Sequence, residues 1–221
     1  MQDEHSARTD ALLREAYFPT LIYFRDLPGT PALTAELAAH IRAWRDQDPD
    51  GVARSNVKQL GAWHSGLDMH RRKEYAVIGA QVLAAAGEIF QDLGYDPAFE
   101  PILDNMWANI NPRGAHNRGH IHPNVLWSGV YYVQAPPGCG RICFADPRAQ
   151  ALMVTPHLAP AQPRKAACWS EVYFDPVVGR LILFPGWLRH EVEPNLCSDD
   201  GAAGERISVS FNIIQRPRSD A

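Results

Sequence analysis

No stretch of this sequence is apolar for long enough to cross a bilayer. Its opening residues, Met1-Gln2-Asp3-Glu4-His5, are polar and acidic, where a secretory leader is basic and then apolar. A cytosolic, membrane-free protein is therefore expected. Concentrated positive charge is also missing. Beyond Arg71-Arg72-Lys73 the cations are scattered, and the formal net charge is −4. Phosphate backbones are bound by a concentrated basic face, so nucleic acid is not an expected partner. Cysteine is scarce: Cys139, Cys143, Cys168 and Cys197 form no CxxC and no zinc-ribbon spacing. They are expected to be reduced thiols that ligate nothing. Internal repeats and low-complexity segments are absent too, which excludes solenoids and long disordered tails.

What is present fits one soluble domain with a full core: 221 residues, 46% hydrophobic and 21% charged. Residues 1–104 read as a helix-rich N-terminal extension. Residues 18–25 look like a leading strand. Leu33–Trp44 looks like a helix, because Leu37, Ile41 and Trp44 recur at helical spacing. A longer helix is expected from about Arg72 to Leu93, with Val77, Val82, Ala85, Ile89 and Leu93 as its apolar stripe and Gly94 as its stop. From about Met106 the texture changes. Short runs rich in Val, Ile, Tyr, Phe and Trp alternate with Pro, Gly and Asn clusters, near 106–111, 125–134, 141–145, 168–174, 180–184, 190–193 and 206–214. Such a series predicts a mainly β sandwich or jelly roll over residues 105–214. The Pro-rich connection 156–166 reads equally as a cover over a site or as a plain surface loop.

Three segments carry chemistry. In Gly119-His120-Ile121-His122-Pro123 the two histidines share a face if the segment is a strand, and two imidazoles on one face can share a metal. Residues 179–190 read as a buried strand, a turn and then His190 at the start of the next strand. In residues 205–213 the alternation is strict: Ile207, Val209, Phe211 and Ile213 face one way, and Arg206, Ser208, Ser210 and Asn212 the other. On an isolated strand the polar row would face water. In a barrel with a polar interior it points at a ligand, and Arg206 can fork onto a carboxylate while Ser208 adds a hydrogen bond.

The order HxH, SGVYY, LxxFPxxxxH, RxSxSxN over residues 105–214 resembles the 2-oxoglutarate/Fe(II)-dependent oxygenase superfamily, and within it a bacterial branch in which HxHP precedes SGVYY. Gly61–Gly66 adds a weaker likeness. The resemblance implies a double-stranded β-helix with helices packed on one side, and Fe(II) and 2-oxoglutarate as cofactors. It implies His120 and His190 as metal ligands, Arg206 and Ser208 on the far carboxylate of 2-oxoglutarate, and Tyr132 or its neighbour Tyr131 beside the cosubstrate. The reaction it implies is hydroxylation with release of succinate and carbon dioxide. One departure stands out. The superfamily usually has HxD or HxE, giving two histidines and one carboxylate, and here the third position is His122. His122 is taken as the third ligand, with His116 as its substitute. Asn109 and Asn111 are open to a substrate-orienting role or to a plain structural one.

Two other readings stay open at this point. Cupins share the β-helix and the HxH, but Pro123–Val133 holds no carboxylate for their usual fourth ligand. A non-enzymatic β-sandwich would use Trp127, Trp169 and Trp187 as a contact surface. The substrate, small-molecule or peptidyl, is not legible. The N-terminal helices suit either a cover over the barrel or a homodimer contact.

Overall fold

A computed structural model describes residue 12 and residues 14–154, 156–159 and 165–218. Residues 160–164 of the Pro-rich connection lie outside the described residues. Strand β1 is Tyr23–Asp26. It begins later than expected, because Phe18 takes a positive φ of 58° and Pro19 offers no N–H to a ladder. Helix α1, Thr30–Gln47, starts a turn earlier than the apolar spacing suggested. Gly29 supplies a left-handed entry, and proline is tolerated in the first turn. A short helix α2, Gly51–Arg54, and a two-residue strand β2, Trp63–His64, follow.

Helix α3 is Ala76–Asp92, entered through a 3-10 turn at Lys73–Tyr75. Its buried stripe is Ile78, Val82, Ala85, Ala86, Ile89 and Phe90. Val77 does not belong to it and is 60% exposed. It stands five residues before Val82, off the three-to-four spacing that keeps side chains on one face. Gly94, with φ +68°, ends the helix. The N–H groups of Gly94 and Tyr95 fold back onto the carbonyls of Gln91 and Phe90 at 3.1 and 2.8 Å, a Schellman closure.

The remaining strands are β3 (Phe99–Asn111), β4 (Asn117–His120), β5 (Trp127–Gln134), β6 (Ile142–Ala145), β7 (Glu171–Phe174), β8 (Arg180–Pro185), β9 (His190–Val192) and β10 (Arg206–Pro217). They form a six-stranded sheet, in the order β1-β8-β5-β10-β3-β2, and a four-stranded sheet, β4-β9-β6-β7. Every strand pair is antiparallel. This is the expected double-stranded β-helix.

Alternation assigns the faces. Ile207, Val209, Phe211 and Ile213 of β10 join Met106, Ala108 and Ile110 of β3 and Trp127, Tyr131 and Val133 of β5 in one apolar cluster with α1 and α3. Trp127 is thus core, whereas Trp169 and Trp187 are 43% and 53% exposed. A second cluster lies on the other face of the large sheet, where Val130, Tyr132, Ile182 and Phe184 meet Ile142 and Phe144 of the small sheet. All four cysteines are free. No described helix is long and apolar enough to cross a membrane.

Gly129 sits mid-sheet between Phe211 of β10 and Leu183 of β8. A Cβ there would lie 2.3 Å from the Phe211 ring and 2.5 Å from the Ile182 carbonyl oxygen. Gly129→Ala is therefore expected to destabilise the metal-free protein by about 1–3 kcal/mol, as overpacking does. A urea unfolding midpoint equal to wild type would refute this.

Candidate functional site

The antiparallel pairing of β4 and β9 places His120 directly opposite His190. The strand carrying His120 ends there, so His122 does not reach the site by strand alternation. It lies beyond β4, and its backbone N–H donates to the Gly186 carbonyl at 2.8 Å, which ties it to the turn ahead of His190. The three rings converge. Centroids are 4.4 Å apart for His120 and His190, and 5.1 Å apart for each of the other two pairs. One ring nitrogen from each lies within 4.8 Å of the others, the one such cluster among the described residues. His116 is not part of it, and its Nδ1 rests on the Gly114 carbonyl at 3.2 Å.

The protonation pattern suits a cation. His120 Nδ1 lies 2.7 Å from the Arg118 carbonyl, and His190 Nδ1 lies 2.9 Å from the Leu188 carbonyl. A carbonyl oxygen only accepts, so each Nδ1 carries a hydrogen and Nε2 is the atom left to face a metal. His190 packs against Phe184 and Phe144, at 4.5 and 6.0 Å. Burial pushes it down to about 3, the Leu188 carbonyl partly opposes this, and His120 and His122 add to it. Burial, then His120, pushes His122 down to about 4. Both are neutral near pH 7, the form that binds a metal.

The same cavity is lined by the polar rows of two neighbouring strands: Trp107, Asn109 and Asn111 of β3, and Arg206, Ser208 and Ser210 of β10. The β10 row therefore faces inward and not to water. Ser208 lies in register between Asn109 and Tyr132. Tyr132 lines the cavity, while Tyr131 belongs to the helix-side core. Burial holds the Tyr132 phenol well above its usual value, against the opposing pull of Arg206, so its hydroxyl stays a donor. Asn109 donates to Ser210 Oγ at 3.3 Å.

Arg206 is 2% exposed, with no carboxylate partner among the described residues. Its Nη1 donates to the carbonyls of Cys139, Gly140 (3.4 Å) and Glu193 (3.3 Å). Its Nη2 is buried with no partner. Gly140 makes the carbonyl cradle feasible: at φ +91°, an added Cβ would lie 2.3 Å from the Glu193 carbonyl oxygen and 2.9 Å from Nη1. Desolvation disfavours the charge and lowers the Arg206 pKa. Among the described residues no Asp or Glu lines the cavity. An unpaired donor on a buried cation, beside a cluster of three imidazoles, fits a divalent metal together with a carboxylate ligand.

Trp107, which lines the cavity, and His64 behind it were given no role by the sequence reading. His64 on β2 stacks on Trp107 at 5.7 Å and 11°, and Trp107 lies 6.1 Å from His122. Trp107 shares a strand face with Asn109 and Asn111, so alternation along β3 could have found it. His64 sits in a two-residue strand, too short to show any period.

A family model described as "Putative 2OG-Fe(II) oxygenase" matches residues 105–212. No curated protein matches the chain. Among solved structures, a prolyl-4-hydroxylase of Pseudomonas putida is similar with a TM-score of 0.57 and 20% identity, over 88% of this chain and 93% of that one. HygX of Streptomyces hygroscopicus, solved with nickel and 2-oxoglutarate, is similar with a TM-score of 0.58 and 11% identity, over 90% and 84%. The epimerase SnoN, solved with Fe3+, alpha-ketoglutarate and nogalamycin RO, gives 0.60 and 14%, over 90% and 82%. These likenesses are of fold. Residues 105–212, which match that model, hold the histidine cluster, Tyr132, Arg206 and Ser208.

Proposed function

We propose that this chain hydroxylates a small-molecule or peptidyl substrate, with His120, His122 and His190 holding Fe(II) and Arg206, Ser208 and Tyr132 holding 2-oxoglutarate. The observation that carries the reading is the unpartnered Nη2 of Arg206 in a carboxylate-free cavity shared with the three imidazoles. The cofactor pair, when bound, supplies the oxidising chemistry, in which dioxygen and 2-oxoglutarate give succinate, carbon dioxide and one oxygen atom for a substrate C–H bond.

The chain's own part is placement. Arg118 and Leu188 carbonyls fix two of the ligand rings with Nε2 free. The carbonyls of Cys139, Gly140 and Glu193 occupy Nη1 of Arg206 and leave Nη2 for a carboxylate oxygen. Ser208 and the neutral phenol of Tyr132 offer further donors beside it. Ile142, Phe184 and Val192 give the same cavity apolar walls that keep bulk water from the reacting atoms. Asn109, Asn111 and Asn117 remain as uncharged groups to orient a substrate. The free thiols of Cys139, Cys143, Cys168 and Cys197 suit a reducing, cytosolic setting.

Anaerobic titration of Fe(II)-loaded protein with 2-oxoglutarate is expected to raise a weak visible charge-transfer band. Arg206→Ala should still bind iron but weaken 2-oxoglutarate by about a hundredfold or more, the usual cost of truncating one partner of a buried charged pair. His190→Ala should lose iron itself. Iron binding without any band in wild type would remove 2-oxoglutarate from the reading and favour a cupin-type chemistry.

The neutral histidines also set an acid response. In the unfolded chain they take up a proton near pH 6.5. In the folded protein His122 stays neutral to about 4 and His190 to about 3. Between these limits the unfolded state binds more protons, so stability is present above pH 6.5 and is lost as pH falls toward 4. The urea midpoint of metal-free wild type is expected to fall from pH 7 to pH 5. His122→Asn should lose less over the same interval, and equal losses in the two proteins would contradict the assignment.

A further inference from the structure

The three imidazoles are not held alike. His120 and His190 each have Nδ1 on a backbone carbonyl, at 2.7 and 2.9 Å. The ring of His122 makes no hydrogen bond with any described residue. Its backbone lies past the end of β4 and is held by the Gly186 carbonyl, at 2.8 Å, so it is the ring alone that has no polar partner there. What touches its ring is aromatic. It is parallel to His190, at 5.1 Å and 8°, and lies against Trp107, at 6.1 Å and 34°.

Trp107 is itself well anchored. Its strand neighbours Met106 and Ala108 are buried, and its backbone lies opposite Ser210 in the β3–β10 ladder. Behind it His64 stacks at 5.7 Å and 11°, and His64 Nδ1 is fixed 2.6 Å from the Ser65 carbonyl. Four rings thus run in series, His190, His122, Trp107 and His64, from β9 to β2. Ligand imidazoles need an outer partner that sets ring orientation, and loss of such partners typically weakens metal binding by about ten- to a hundredfold.

We propose that Trp107, backed by His64, is the positioning residue for the third metal ligand. It does for His122 by ring contact what the Arg118 and Leu188 carbonyls do for His120 and His190. This rests on the reading that His122 ligates the metal. An indole face restricts the χ2 swing of the imidazole, and an aliphatic side chain in its place leaves the ring free to turn its lone pair away.

The test uses metal-free full-length protein and Co(II), with affinity from calorimetry and ligand number from the visible Co(II) spectrum. Trp107→Leu is expected to weaken Co(II) by about tenfold or more and to move the spectrum toward that of His122→Ala. Trp107→Phe should restore both, and His64→Leu should move both in the same direction by less. A general loss of packing would lower the melting temperature without converting the spectrum to the His122→Ala form. The proposal is overturned if Trp107→Leu keeps wild-type affinity and spectrum while His122→Ala loses affinity; His122 then remains a ligand without this support. If His122→Ala itself matches wild type, the ligand reading fails first and takes the proposal with it. Should Trp107→Leu not fold, His64→Leu decides, and an unchanged Co(II) spectrum there counts against the proposal.

Discussion

The two-faced strand β10 is the constraint on which the rest of the molecule depends. It lies between β3 and β5 and pairs with both along most of its length. Its odd-numbered side chains from Ile207 to Ile213 are fully buried against the helices, so its register cannot slip by one residue without exposing four large apolar groups. The opposite row is therefore fixed as well. Arg206, Ser208 and Ser210 are held in the cavity not by affinity for it but because the apolar row has nowhere else to go. The same logic holds on β3, where Met106, Ala108 and Ile110 bind the core and Trp107, Asn109 and Asn111 are left facing inward.

The small sheet supplies the other half of the site by pairing and not by burial pattern. β4 has four residues and β9 three, too short to be stable as an isolated hairpin. They are steadied by β6, whose Phe144 stands opposite His190, and by the aromatic contacts of Phe144 and Phe184. The histidine cluster thus needs the contact between the two sheets, and damage to that apolar layer would reach the cluster without touching a histidine.

Much of this was legible in the sequence. Strict alternation exposed β10 and its polar row, and a buried run followed by a Pro-Gly turn placed His190. Helix α3 was found, but its stripe was misread at Val77, where the count of five residues to Val82 breaks the helical spacing. What was hidden was non-local. His122 was grouped with His120 by strand alternation, whereas the strand stops at His120 and the hydrogen bond to Gly186 does the grouping. Nothing along the chain says that the cradle of Arg206 is built from carbonyls at 139, 140 and 193, or that His64 stacks on Trp107, because backbone oxygens carry no sequence signature and β2 is too short for one.

The electrostatics of the cavity bind these features into one argument. A buried guanidinium with no counter-ion is costly, by several kcal/mol if the charge were wholly uncompensated. Three carbonyl dipoles on Nη1 offset part of this, yet Nη2 is left bare and no described Asp or Glu lines the cavity. The histidines add no negative charge either, because imidazole is at most a cation, and burial keeps His122 and His190 neutral. A divalent cation on such ligands keeps its full charge. Every fixed group in the cavity is thus neutral or positive, and a dianion that reaches both the cation and Nη2 would neutralise the two at once. On the proposed reading the third histidine and the lone arginine are one device: each leaves a positive charge unmatched by the protein, and a single dicarboxylate can match both.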